Sequence, residues 1–110
     1  MSKKYCLVLD LKDDPRLIAE YEEWHRNVWP EVINSIRDSG IEKMEIFRAG
    51  NRLCMVIEAR EDFSFENKQN LDKTNEKVQE WEALMDNFQQ RLPFAEMGQK
   101  WVLMDRIFEL

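Results

Sequence analysis

Leu53-Cys54-Met55-Val56-Ile57 is an unbroken apolar run with no polar residue to turn outward. Successive side chains of a strand point to opposite faces of its sheet, so such a run is stable only where both faces are covered. The chain must therefore build a sheet with this segment near its centre. The segment before it alternates instead, Met44 and Ile46 pointing one way and Lys43 and Glu45 the other. Ala49-Gly50-Asn51 joins the two, and a three-residue turn containing glycine predicts a hairpin over residues 41–48 and 52–59.

The remaining elements follow from periodicity and punctuation. Tyr5-Cys6-Leu7-Val8-Leu9-Asp10-Leu11 reads as a strand buried on at least one face. Lys12-Asp13-Asp14-Pro15 then supplies a helix start, with an aspartate cap and proline in the first turn. Leu17, Ile18, Tyr21, Trp24, His25 and Val28 recur at three- and four-residue spacing and share one helical face. Pro30 interrupts that pattern, biases Trp29 away from helical geometry and opens a second helix carrying Val32, Ile33 and Ile36, which Gly40 stops. A polar stretch over 61–75, with a short helix around 63–71, leads to the strongest helix, 75–91, marked by Val78, Trp81, Leu84, Met85 and Phe88. A loop over 93–100 and a strand over 101–110 complete the chain.

The predicted order is β-αα-β-β-α-β, the ferredoxin-like α+β sandwich in which helices cover one face of an antiparallel sheet. At 110 residues, one domain spanning 1–110 is expected. The apolar central strand still needs a cover for the other face. A second copy of the sheet is the simplest one, which predicts a homodimer and a ligand cavity between sheet and partner.

Charge and motifs narrow the function. Sixteen basic residues against 22 acidic ones leave a net charge of −6, so nucleic acid is not an expected partner. No apolar run reaches the roughly 18–20 residues of a membrane span, and MSKKYCLVLD lacks the core of a signal peptide. Cys6 and Cys54 lie within apolar runs, suggesting reduced, buried thiols and a cytoplasmic protein. A phosphate-cradling loop, CxxC, HExxH and the nucleophile elbow are all absent from the sequence, and the acidic clusters lack calcium-loop spacing. No metal and no cofactor are expected.

Histidine is the side-chain type suited to proton transfer near neutrality, and the chain has one, His25. Tyr21 lies one helical turn earlier on the same face. Trp24 and Trp29 near this pair would bracket a small polar ligand, and Trp29-Pro30-Glu31 would place a large ring and a carboxylate beside the imidazole. On periodicity alone, a tyrosine and a histidine on an aromatic stripe are more often packed core than site.

The stretch Tyr21-x-x-x-His25-x-x-x-Trp29-Pro30-Glu31 resembles the L-rhamnose mutarotase family. The likeness runs through nearly the whole chain: the opening strand, Gly40, Met44-Glu45-Ile46-Phe47, Leu53-Cys54-Met55, Trp81-Glu82-x-x-Met85 and Met104-Asp105-Arg106-Ile107-Phe108. The resemblance implies a dimeric α+β barrel: an isomerase that interconverts the α and β anomers of a neutral 6-deoxyhexose without a cofactor, L-rhamnose first and L-fucose next. His25 matches the family's proton donor, Tyr21 its neighbouring substrate-contacting tyrosine, and Trp81 the first of an aromatic pair lining the sugar site. Two positions depart. A sugar-contacting strand tyrosine falls at Met44, and the second tryptophan of the pair falls at Glu82. Both are expected to face the sugar, so the departures bear on which sugar is bound rather than on the reaction.

The residue inventory suits that reaction. Mutarotation takes a proton from the anomeric hydroxyl and delivers one to the ring oxygen, so an acid and a base suffice. His25 is expected to protonate the ring oxygen and Tyr21 to orient the sugar or relay a proton, with Glu31 or another acidic group a candidate to complete the pair. Two alternatives are another cofactor-independent dimeric α+β barrel enzyme, monooxygenase-like, and a non-catalytic binding module.

Overall fold

A computed structural model describes residues 2–110. Strand β1, Ser2–Leu11, turns Leu7, Leu9 and Leu11 inward to the core and leaves Cys6, Val8 and Asp10 half-buried on the opposite face. Helix α1, Pro15–Arg26, begins where sequence punctuation placed it. Asp14 caps it by accepting the Arg16 amide at 2.9 Å, and Pro15 fills the first turn. Trp29 separates α1 from α2, Pro30–Asp38. Gly40, at φ 104°, then turns the chain into the sheet, a backbone region that favours glycine.

Strands β2, Ile41–Ala49, and β3, Arg52–Arg60, form the expected hairpin. Its turn is shorter than predicted, because Ala49 pairs with Arg52 and only Gly50 and Asn51 lie between. Asn51 docks this turn on the end of β1, donating its side-chain amide to the Leu11 carbonyl at 3.0 Å. Helices α3, Phe65–Lys73, and α4, Glu76–Asp86, follow; the side-chain oxygens of Ser64 and Asn75 cap them.

The last two expectations need correction. The strongest helix stops at Asp86 rather than 91. Phe88 drops into the core, and Gln89–Gln90 form β4, paired with Asp10 and Leu11 at the free edge of β1. The closing strand, expected over 101–110, is reduced to β5, Val102–Leu103, on Leu7 and Val8, with one further bond from the Met104 amide to the Cys6 carbonyl. Beyond it Ile107 is 95% exposed, and Phe108 and Leu110 are also bare. Among the described residues none covers these three side chains.

The sheet is antiparallel, in the order β2-β3-β1, with β4 and β5 sharing the outer edge of β1. This is the predicted ferredoxin-like arrangement, with β1 and β3 central. The inner face and the helices enclose two clusters, one around Leu11, Tyr21, Leu53, Trp81 and Phe88 and one around Leu7, Ile41, Ile57 and Phe63. Fully burying side chains of this size stabilises the fold by about 1.5–3 kcal/mol each. On the other face, pairing aligns Phe47, Cys54, Val8 and Val102 in one row across four strands. Phe47 in that row is 53% exposed. Cys6 and Cys54 are free thiols, half-buried rather than buried as expected. Burial, then the neighbouring Cys6 thiol, pushes the Cys54 thiol up. Among the described residues no helix is long and apolar enough to cross a membrane.

Candidate active site

The helices leave part of the inner sheet face uncovered, where Met44, Ile46 and Met55 are only half-buried. Above them opens a cavity of about 730 Å³, walled by all four helices and rimmed by Arg91 and residues 98–101. It lies between the sheet and this chain's own helices, not between the sheet and a partner as anticipated. A volume of this order suits a small ligand.

Helical spacing places Tyr21 and His25 one above the other on the cavity wall, their rings 4.3 Å apart. The His25 Nδ1 lies 2.8 Å from the Tyr21 backbone carbonyl. A carbonyl can only accept, so Nδ1 carries a proton, and Nε2 is the nitrogen that holds the lone pair whenever the ring is neutral. The Tyr21 ring is 3% exposed. Burial pushes its phenol up to about 12, with the Glu82 charge adding to the rise and the Gln89 hydrogen bond opposing it. Tyr21 is therefore a neutral phenol throughout the physiological range, a hydrogen-bond donor rather than a base.

Trp81 is the structural centre of the wall. Three rings meet it edge-on: Trp29 at 5.2 Å, His25 at 5.6 Å and Trp24 at 6.4 Å. Trp81, Met44 and Glu82 line the cavity with Tyr21 and His25. Trp29 does not. The break before Pro30 sends its ring behind Trp81, with the Lys77 ammonium 5.9 Å from the ring centre. Glu31 also lies elsewhere, at a hollow between α2 and the junction of α3 and α4. Two carboxylates share the cavity with His25: Asp72, paired with Lys68 at 2.7 Å, and Glu82, which bonds Lys100 through Oε2 at 2.8 Å. Lys100 pairs with Asp86 as well, at 2.7 Å. Burial alone would lower the Lys100 ammonium, but its bonds to Asp86 and Glu82 outweigh that and hold it above the ordinary lysine range.

Lys100 and Gln89 went unforeseen in the sequence. Lys100 falls in an irregular loop without periodicity, and Gln89 reads in sequence as part of a helix that the chain leaves at Asp86. Among the described residues no cluster of three or more His, Cys, Asp or Glu could hold a metal ion.

Residues 4–110 match the sequence model of a family described as L-rhamnose mutarotase. The chain belongs to the L-rhamnose mutarotase family. It is 47% identical over 110 residues to an L-fucose mutarotase of Xanthomonas campestris pv. campestris, an alignment covering 98% of this chain and 88% of that one. Its backbone is similar to that of the L-rhamnose mutarotase of Formosa agariphila, with a TM-score of 0.72, 20% identity and 98% of each chain covered. It is also similar, at a TM-score of 0.57 and 11% identity over 98% of this chain and 94% of the other, to a Nitrosomonas europaea protein provisionally assigned as an antibiotic biosynthesis monooxygenase. The two structural likenesses establish the α+β fold. Membership of the L-rhamnose mutarotase family makes the chain a carbohydrate isomerase, as the Tyr21-to-Glu31 stretch implied.

Proposed function

We propose that this mutarotase acts on a neutral 6-deoxyhexose, L-fucose or L-rhamnose, with His25 as its acid–base residue and Tyr21 as the hydrogen-bond donor that orients the sugar. One observation carries the reading: a cavity large enough for a monosaccharide has on one wall both an imidazole with its Nε2 lone pair available and a permanently protonated phenol. The name of the Xanthomonas relative supports L-fucose as much as the family name supports L-rhamnose.

The direction of the Nδ1 bond sharpens the order of proton transfers. A neutral His25 accepts first. Its Nε2 takes the anomeric hydroxyl proton and delivers it to the ring oxygen as the C1–O bond of the ring breaks, leaving the open-chain aldehyde and a neutral imidazole again. Rotation about C1–C2 presents the other carbonyl face; as the hydroxyl adds back, Nε2 takes its proton and delivers it to O1. Tyr21 steadies the developing charge as a donor without leaving its neutral form. Acid and base together provide everything the step consumes, so no cofactor enters it.

The test is anomer exchange followed by saturation-transfer NMR for L-fucose, L-rhamnose and an ordinary neutral hexose. Exchange well above the buffer rate is expected for at least one 6-deoxyhexose. Buffer rates with every sugar would sink the reading and favour a binding module.

A second copy of the chain is the proposed cover for the open sheet face, completing a dimeric α+β barrel in the cytoplasm. The row of Phe47, Cys54, Val8 and Val102 and the bare tail residues Ile107 and Phe108 support it, because exposed apolar surface of this extent is unusual on a monomer. Light scattering is expected to give twice the 13.3 kDa chain mass, and Phe47→Glu, which sets a charge in the interface, is expected to give the single mass. A wild-type protein scattering as a monomer would defeat the dimer.

A further inference from the structure

Helix α3 is built the wrong way round for packing. Phe65, Lys68, Gln69 and Asp72 follow helical three- and four-residue spacing, and all four line the cavity. Of the nine residues of α3, Phe65, Lys68 and Asp72 are half-buried and the rest are exposed. Its one aliphatic residue, Leu71, points away, 39% exposed and lining the separate hollow that holds Glu31. A helix ordinarily turns its apolar stripe inward and its charges outward. Helix α3 does so only at Phe65, whose ring meets Tyr5 edge-on at 4.9 Å.

The two charges on the cavity side form a pair. Lys68 Nζ donates to Asp72 Oδ2 at 2.7 Å, and the side chains are 22% and 21% exposed. Every other ion pair among the described residues has a partner more than 40% exposed. Drawing a pair partly out of water adds little stability, because desolvation offsets the attraction. Packing therefore does not account for its place on the wall. The pair remains within reach of a ligand, and Asp72 Oδ1 and two of the three Lys68 ammonium protons make no hydrogen bond among the described residues. The Asp72 backbone is held in place. Its carbonyl accepts the Gln79 side-chain amide at 2.9 Å and the Asn75 backbone amide at 3.2 Å, which ties this end of α3 to the start of α4.

We propose that Lys68 and Asp72 are sugar-binding residues, a donor and an acceptor fixed side by side that hold two neighbouring hydroxyls of the bound sugar. One hydroxyl accepts from the ammonium while its neighbour donates to the carboxylate, and both bonds are charge-assisted. The two charges offset each other, so the clamp suits a neutral ligand; an anion drawn to Lys68 would be repelled by Asp72. Glu82 and Lys100 set a second ammonium–carboxylate pair at the same cavity, in keeping with a ligand that carries several hydroxyls. The inference rests on the mutarotase reading given above and adds two residues that select among sugars by the configuration of adjacent carbons.

The experiment compares wild-type protein with the double variant Lys68→Met/Asp72→Leu in anomer exchange on the accepted 6-deoxyhexose and on its monodeoxy analogues. Losing two hydrogen bonds from charged groups is expected to raise KM roughly a hundredfold on the parent sugar. The kcat is expected to stay within about twofold, because His25 and Tyr21 are untouched. On two analogues, deoxygenated at adjacent carbons, the rise is expected to shrink to roughly tenfold, since each has already lost one of the clamped hydroxyls. Circular dichroism checks the fold of the double variant. Asp72→Asn, which keeps the shape of the side chain, repeats the test should the double variant not fold; its KM is expected to rise roughly tenfold on the parent and not at all on the analogue lacking the hydroxyl that Asp72 holds. A KM unchanged on the parent sugar, or raised equally on the parent and every analogue, overturns the proposal and leaves the pair a brace for α3. Wild-type protein that exchanges no sugar overturns the mutarotase reading, and this inference with it.

Discussion

Replacing His25 with alanine is expected to slow anomer exchange by roughly 10²–10⁴-fold, the range a positioned acid–base group contributes. The loss should fall on kcat rather than KM, because His25 moves a proton and the remaining wall still binds the sugar. Saturation-transfer NMR at fixed sugar and enzyme concentration checks it, with circular dichroism confirming that the variant folds. An unchanged rate would remove His25 from the mechanism. Tyr21→Phe separates the two roles on the same helix face. The buried phenol, pushed up to about 12, is protonated at every pH where the enzyme works. The pH–rate profile between about pH 5 and 9 therefore owes nothing to its titration. The phenylalanine variant is expected to be slower by about tenfold, one hydrogen bond's worth, with the midpoint of its profile unmoved. A shifted midpoint would show that Tyr21 shuttles a proton and does more than donate a hydrogen bond.

What could be read beforehand was local. Tyr21 and His25 meet because a four-residue spacing on a helix leaves no alternative, and Asp14-Pro15 and Gly40 set helix ends by their own backbone chemistry. The hairpin was equally plain, since alternation and a glycine turn are local signals. The errors all lie where a distant partner decides. Gln89 continues a helical stripe in sequence, yet the free edge of β1 at Asp10 and Leu11 captures it as strand. The tail reads as a strand because its residues suit one, but β1 pairs only as far as Val102 and Leu103, with Met104 adding a single bond. Trp29 and Glu31 read as neighbours of His25 because they follow a helix break, yet neither lines its cavity: Trp29 packs edge-on against Trp81 and Glu31 lines a separate hollow. Gln89 and Lys100 carried no sequence signal, because a lone polar residue gains meaning only from what it faces.

Trp81 ties packing to chemistry more tightly than any other residue of the wall, and its removal is expected to have the largest effect on stability. The ring is 5% exposed and belongs to the cluster that joins α4 to β1, α1 and α2. Truncating a buried tryptophan to alanine costs about 3–5 kcal/mol. Each edge-on aromatic pair is worth about 0.5–1.5 kcal/mol beyond its buried area. Three such pairs converge here, from Trp24, His25 and Trp29, which puts Trp81→Ala at the upper end of that range. Urea unfolding measures it. Trp81→Phe keeps a ring against His25 and is expected to lose clearly less stability while retaining exchange within roughly tenfold of the wild type. The pair of variants separates two functions of one side chain. If Trp81→Ala, assayed well below its unfolding midpoint, exchanges sugar as fast as Trp81→Phe, the ring serves only the core. If it folds yet fails to exchange, the edge contact at 5.6 Å is what holds the imidazole at the angle the reaction needs. The second outcome is expected, because the backbone bond at Nδ1 fixes one end of the His25 ring and Trp81 meets it edge-on, leaving Nε2 as the nitrogen free for the sugar.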